Sequence, residues 1–206
     1  MKSKTKLLVI LFTILLVQMS VCTAFTYKGK EKYENFPDVI GTEYEDAVLY
    51  LKAFKYSAGY PDGTYKPLNN ITRAELVTLA IAFSADAQDL IDSNQEIENK
   101  FSDISGNWAE KNINIAAKVG IVSGYEDGTF RPNNLVTHVE ALAMLINVHG
   151  LKNDILKMEY DWPKNYVLYS IVNGYSDMFD MAEYKQNANR GDIANYIARI
   201  RDVKWE

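Results

Sequence analysis

Three positions in this chain place a cation, or a group that can become one, directly behind a helix-capping residue. Arg73 follows Thr72, His138 follows Thr137 and Arg190 follows Asn189. An acid stands three residues after each cap, at Glu75, Glu140 and Asp192. Thr-x-x-Glu is a capping box: the hydroxyl accepts from a backbone N–H one turn on, and the carboxylate reaches back to the cap's own N–H. Asn189/Asp192 is a weaker version of the same device. Capping accounts for the outer residues of each corner and leaves the basic one unexplained. A cation at the first helical position meets the positive end of the helix dipole, which is mildly unfavourable. Two kinds of partner would offset this. One is an Asp or Glu of the chain itself. The other is an outside anion, met by the guanidinium, the dipole and free backbone N–H groups together. A carboxylate would suit the second, held by two parallel hydrogen bonds. His138, mostly uncharged at neutral pH in ordinary surroundings, would weaken such a site there and strengthen it below about pH 6.5.

Other chemistries find little to build on. His138 and His149 lie 11 residues apart without cysteine companions, so no metal site is expected. Asp62-Gly63 and Asp127-Gly128 lack the alternating acids and terminal glutamate of a calcium loop. There is no Gly-rich phosphate loop and no serine-nucleophile elbow. The expectation is a binding protein with no catalytic residues and no cofactor.

The corners recur because the chain repeats. Sliding the sequence by 65 lays residues 36–76 on 101–141 without a gap, with 13 identities in 41 positions. Phe36-Pro-Asp38-Val39 meets Phe101-Ser-Asp103-Ile104. Gly59-Tyr60-Pro-Asp62-Gly63-Thr64-Tyr65-Lys66-Pro67 meets Gly124-Tyr125-Glu-Asp127-Gly128-Thr129-Phe130-Arg131-Pro132. A degenerate third copy opens at Asp161-Trp162-Pro163, echoes the loop at Ile171–Asp177 and ends in Asn189-Arg190-Gly191-Asp192. There the Asp-Gly-Thr turn is replaced by Met178-Phe179-Asp180.

Each copy reads as helix, loop, helix. In the second, Ser105 or Asn107 starts a helix that runs through Trp108-Ala109 to about Val119, with Gly120 ending it. Asp127-Gly128 marks a tight turn, and Pro132 keeps the chain extended before the next helix. The helix from Thr137 carries Leu142, Leu145, Ile146 and Val148 around most of its circumference, and Leu76–Phe83 is equally apolar. Helices of that kind are buried on several sides, so the three second helices should pack together at the centre. The polar, acidic stretch 85–100 reads as a surface connector with a loose helical turn. The fold class expected is all-α, with three helix-loop-helix repeats in a bundle: 36–84, 101–150 and the degenerate 151–206, after a short lead at 25–35.

Residues 1–24 have the basic start, the apolar run Leu7–Val17 and the small exit of a secretory signal peptide, with cleavage expected after Ala24. A lipoprotein signal ending at Cys22 is the rival, disfavoured by bulky Val21. Removal takes three of the 22 basic residues and none of the 27 acidic ones, so the remainder carries 19 − 27 = −8. An acidic chain without a basic stripe is a poor partner for nucleic acid. With one cysteine in the whole sequence no internal disulfide can form, and an apolar core must hold the fold.

Phe-x-Asp-Val, Trp-Ala, Gly-Ile-Val-x-Gly-Tyr-x-Asp-Gly-Thr-Phe-x-Pro and Ile-Thr-Arg-Ala-Glu, in that order, resemble the S-layer homology repeat over nearly all of residues 36–203. The first copy has Glu43-Tyr44 where Trp-Ala would stand. The resemblance implies a pseudo-threefold helical domain, secreted to the cell wall or S-layer, whose grooves between repeats bind a pyruvylated secondary polymer attached to peptidoglycan. It implies further that the corner arginine meets the acidic pyruvyl ketal. Carried over, the glycan-binding candidates are Arg73 and Arg190, with His138 replacing the second arginine. Asp38, Asp103, Trp108, Tyr60, Tyr125 and Tyr175 lie in segments that border the grooves. The tyrosines and Trp108 serve either as core covers or as platforms for a sugar face. The alternative is a scaffold that kept the fold to hold another envelope or S-layer protein.

Overall fold

The computed structural model describes residues 25–93 and 95–205; the signal-peptide reading of residues 1–24 and the question of Cys22 lie outside them. Eight α-helices account for most of the regular structure among these residues. They are α1 (Glu45–Ala53), α2 (Arg73–Ala80), α3 (Ala85–Asp92), α4 (Glu110–Lys118), α5 (His138–Val148), α6 (Lys152–Leu156), α7 (Lys164–Val172) and α8 (Arg190–Ile200). The protein is mainly α-helical, with one addition that the sequence did not announce. A three-residue strand β1 (Phe25–Tyr27) pairs in parallel with β2 (Val203–Trp205), so the lead segment is tied to the far end of the chain.

The capping boxes form with both arms at Thr72/Glu75, Thr137/Glu140 and Asn189/Asp192. They place the first turns of α2, α5 and α8. Helix α5 packs against both α2 and α8, and Leu142, Leu145 and Ile146 are fully buried there. This follows from a helix apolar on nearly every side.

The three corners are joined by main chain. Val136 N–H donates to the Ile71 carbonyl at 3.0 Å, Ala188 N–H to the Val136 carbonyl at 2.9 Å, and Ile71 N–H to the Ala188 carbonyl at 3.4 Å. Each bond runs from one corner to the next, and the three close on themselves. One apolar core lies beneath them, drawing Tyr65, Phe130 and Tyr184 from the three loops, each almost completely buried.

Two elements differ from the sequence expectation. The helix after Trp108 starts at Glu110, past both expected starts at Ser105 and Asn107, because the Asn107 side chain accepts from the Ala109 N–H at 2.9 Å and holds a turn there. The 85–100 stretch begins with the two-turn helix α3, capped by the Ser84 hydroxyl accepting from Ala87 N–H at 3.1 Å. Ala87 is fully buried and Leu90 and Ile91 pack against the core, so this connector has an apolar face.

The loops between paired helices are shaped by glycine. Gly124 has φ +75°, and a Cβ there would fall 2.3 Å from the Phe101 ring and 2.9 Å from the Thr129 carbonyl. Gly59 stands the same way against Phe36. We expect Gly124→Ala to cost about 2 kcal/mol, from overpacking and left-handed strain together. Urea unfolding followed by helical circular dichroism measures this; an unchanged midpoint would show that the loop is not held by this contact.

Candidate functional site

The basic residues of the three corners have three different surroundings. Arg73 is 5% exposed. Its Nε donates to the Phe130 carbonyl at 2.9 Å and its Nη1 to Glu140 Oε1 at 3.0 Å. The guanidinium lies over the rings of Tyr125 and Phe130, 4.7 Å from each centroid. The Tyr125 hydroxyl donates to the same Glu140 oxygen at 2.7 Å. Burial alone would raise the Glu140 pKa; the Thr137 backbone N–H, the Tyr125 hydroxyl and the Arg73 charge outweigh it and hold the carboxyl below its ordinary range. Burial raises the Tyr125 phenol, assisted by its bond to Glu140. Arg73 therefore has the intramolecular acidic partner that its position at a helix start calls for.

Arg190 is half-buried and differently placed. Its Nε donates to the Tyr65 carbonyl at 2.9 Å, and its guanidinium lies 4.9 Å from the Tyr60 ring centroid and 4.6 Å from that of Tyr65. His138, the third, has Nδ1 2.8 Å from the Tyr196 hydroxyl and Nε2 4.0 Å from Asp192 Oδ2. Burial lowers its pKa, against the opposing pull of Asp192 and Glu183. The expected gain of charge below about pH 6.5 is thus displaced to more acidic conditions.

The structure corrects one part of the anion-site argument. The first backbone N–H groups of these helices are not free. Arg73 and Ala74 donate to the carbonyls of Asn134 and Pro132 at 2.9 and 3.0 Å; His138 donates to Gln186 at 3.0 Å; Arg190 and Gly191 donate to Asn69 and Pro67 at 2.9 and 2.8 Å. Neighbouring loops have taken the donors that an anion would need, leaving the side chains as the means of recognition.

Asp38 and Asp103 act within the loops. Asp38 accepts from the backbone N–H of Tyr65 and Lys66 at 2.9 and 2.7 Å, and Asp103 from Phe130 and Arg131 at 2.7 Å each. Lys66 and Arg131 have φ of 57° and 59°, a conformation costly for residues with a side chain, and the carboxylates hold it in place. Tyr60 and Tyr125 are half-buried beneath their loops, each with a second cation on the ring: Lys66 at 4.3 Å and Arg131 at 4.0 Å. Tyr175 lies 6.1 Å from the Tyr169 ring. Trp108 is 65% exposed and covers no core. It lines a shallow cavity of about 530 Å³ with Asn107, Glu110 and Asn114.

A larger groove, of about 680 Å³, opens above Arg73. Tyr125 and Glu140 line it with Arg73, Arg131 and Asp127 also border it, and Trp162 and Tyr166 come to it from the 151–206 segment. Trp162 is 53% exposed and meets Tyr166 edge-on at 5.5 Å between centroids. Sequence reasoning passed over Trp162 as a binding residue. The signal was available, since Trp162-Pro163 directly precedes a helix as Trp108-Ala109 does. No helix among the described residues is long and apolar enough to cross a membrane.

These corners and paired helices define a helical module built from tandem units. Residues 35–77 and 100–142 match the S-layer homology domain, and the chain carries that domain at both stretches. It is 41% identical over 123 residues to cell surface glycoprotein 1 of Acetivibrio thermocellus, covering 57% of this chain and 5% of that protein. It is 31% identical over 147 residues to the cellulosome-anchoring protein of the same organism, covering 70% of this chain and 33% of that one. A cell surface protein of Thermoanaerobacter kivui is 28% identical over 206 residues, covering 98% of this chain and 25% of its own length. The chain thus spans a third or less of each of these relatives. The matched domains and these relatives point to a secreted cell-surface protein and support surface anchoring as its broad role.

Two outcomes test the site's energetics. Arg73→Gln leaves a partly buried Glu140 without its cation and should cost about 3 kcal/mol, whereas Arg190→Gln should cost about 1 kcal/mol. Urea midpoints read both, and an Arg73 variant less affected than the Arg190 variant would contradict the assignment. The second concerns pH. His138 and His149 are both held below the ordinary value of 6.5, first of all by burial. The unfolded chain then binds protons more readily, so the stability tied to these two groups is full above about pH 6.5 and is lost as pH falls below it. His138→Gln should flatten part of the decline in urea midpoint between about pH 6.5 and 5; an identical slope would show that His138 does not contribute.

Proposed function

We propose that this chain anchors itself non-covalently to the cell wall by binding a pyruvylated secondary cell-wall polysaccharide in grooves between its repeats. The observation that carries the reading is the groove above Arg73. It is concave, about 680 Å³ in volume, with Arg73 and Tyr125 in its lining and the exposed face of Trp162 bordering it. An aromatic ring open to solvent beside hydrogen-bonding side chains suits the apolar face and hydroxyls of a pyranose ring. The matched domain and the anchoring role named for one relative support the same reading.

In this proposal residues 1–24 are removed as a signal peptide, and residues 151–206 are a diverged third repeat. The units 36–84, 101–150 and 151–206 then stand around a pseudo-threefold axis, with 85–100 as a connector. The closed set of bonds among Ile71, Val136 and Ala188 supports that arrangement. Arg73, Arg190, Tyr60, Tyr125 and Trp162 are the side chains assigned to the polymer, and Asp38 and Asp103 shape the loops that present them. Trp108 and Tyr175 are assigned to its borders, and His138 marks the corner with least affinity for an acid at neutral pH. The chain acts as a binding module and not as an enzyme.

One observation favours a second reading, in which the fold holds another envelope protein. Where the Asp-Gly-Thr turn has been lost, Phe179 is 78% exposed and Met181 is 37% exposed. Apolar side chains so placed suit a protein partner better than a polymer of sugars.

Co-sedimentation of residues 25–206 with purified sacculi, before and after chemical removal of the secondary polymer, separates the two. Pelleting that disappears with the polymer, and weakens in Trp162→Ala, is the result expected. A chain that stays in solution with intact sacculi would sink the glycan reading and turn attention to the Phe179 loop.

A further inference from the structure

Resting on the glycan reading, we infer that the grooves are chemically unlike, and that Arg190, not Arg73, receives the acidic group of the ligand. The argument begins with charge. Arg73 and Glu140 are 3.0 Å apart, with side chains 6% and 18% exposed. Their charges cancel at short range, away from most screening water. The Tyr125 hydroxyl adds a third bond to the same carboxylate oxygen. A ligand carboxylate entering here would have to displace Glu140 from its guanidinium or share it, and would meet Glu140 as a like charge.

The corner of α8 has the same parts with one link absent. Arg190 lies over Tyr60 and Tyr65 as Arg73 lies over Tyr125 and Phe130, and its Nε bonds the Tyr65 carbonyl as Arg73 bonds that of Phe130. Glu75 occupies the position matching Glu140, and each keeps Oε2 on its own cap, accepting from the N–H and hydroxyl of Thr72 or Thr137; Glu140 alone also holds a corner arginine, through Oε1. No ion pair joins Glu75, or any other carboxylate among the described residues, to Arg190. Two acids belong to this loop's bonding: Asp62 is held by Lys66 at 2.8 Å, and Asp38 accepts from the backbone N–H of Tyr65 and Lys66 at 2.9 and 2.7 Å. Arg190 is therefore a half-buried cation without a counter-ion within 4 Å among the described residues, held by its Nε and ring contacts. A planar carboxylate matches the open part of its guanidinium fork. The Arg73 groove, electrically balanced and bordered by Trp162, suits an uncharged sugar.

The corner of α5 takes no part in this division at neutral pH. His138 faces Asp192 of α8, Glu183 of the preceding turn and the Tyr196 hydroxyl, and it offers no guanidinium.

The test uses two probes in calorimetric titration: a methyl glycoside carrying a pyruvyl ketal, and the same glycoside without the ketal. Arg190→Gln should lower affinity for the ketal about tenfold or more, the loss expected for a charge-assisted bidentate contact, and lower affinity for the neutral probe by a much smaller factor. Glu140→Gln provides the converse. Glutamine still completes a capping box, so the helix start is kept while Arg73 is released from its counter-ion. Adding Glu140→Gln to Arg190→Gln should restore ketal binding by about threefold or more, with circular dichroism confirming an intact fold. Full ketal affinity in Arg190→Gln would overturn the inference, as would a double variant no better than Arg190→Gln alone. Wild-type chain that takes the neutral probe but not the ketal would overturn it while sparing the glycan reading. Failure to take either probe would sink both.

Discussion

The structure depends on a small closed circuit of main-chain hydrogen bonds. Ile71, Val136 and Ala188 each donate to the next and accept from the previous one. Each belongs to the extended residues before a helix, where backbone polar groups would otherwise need water. Because a buried amide left unpaired costs more than a paired one returns, no member of this circuit can be moved alone. It sets the spacing of α2, α5 and α8, and through them the apolar interior. Below it, α5 is buried on nearly all sides by its neighbours. The same ordering delivers the side chain behind each cap to a loop of another part of the chain.

That delivery reconciles the cations with the helix starts they occupy. A guanidinium beside a positive helix end is unfavourable in isolation. Here the first amides of each helix are bonded by carbonyls from a neighbouring loop, so part of the positive end is already met. Arg73 then reaches past its own helix to Glu140. The acid that caps one helix also neutralises the residue that begins another. Arg190 has the aromatic and carbonyl contacts of this arrangement and lacks the carboxylate. Two arginines placed alike behind helix caps thus differ in electrostatics by one ion pair, present at Arg73 and absent at Arg190 among the described residues.

Much of this was legible in sequence wherever the determinant was local. Thr72/Glu75, Thr137/Glu140 and Asn189/Asp192 are capping boxes at a separation of three residues, and they form as written. Gly120 and Gly128 were read as a helix end and a tight turn, and both take positive φ there, 82° and 79°. The apolar circumference of α5 announced its burial. Helix α3 was under-read because two turns with only Ala87, Leu90 and Ile91 facing inward resemble a polar connector when the core they meet is unseen. The pairing of β1 with β2 joins three residues at one end to three at the other, and nothing in either triplet names its partner. Trp162 was passed over as a binding residue although its position matched Trp108, because Asp161-Trp162-Pro163 was read only as the opening of a worn copy.

The sequence by itself determined the starts of α2, α5 and α8, the turns and the identity of the basic residue at each corner, since capping boxes and turns are set by backbone geometry over four or five residues. Only the tertiary structure decided what those basic residues do. The partners of Arg73 lie 57 and 67 residues away, and that of Arg190 lies 125 away. Whether a cation meets a carboxylate at 3.0 Å or none within 4 Å is a matter of how packed helices are spaced, to which no local signal in the chain is sensitive.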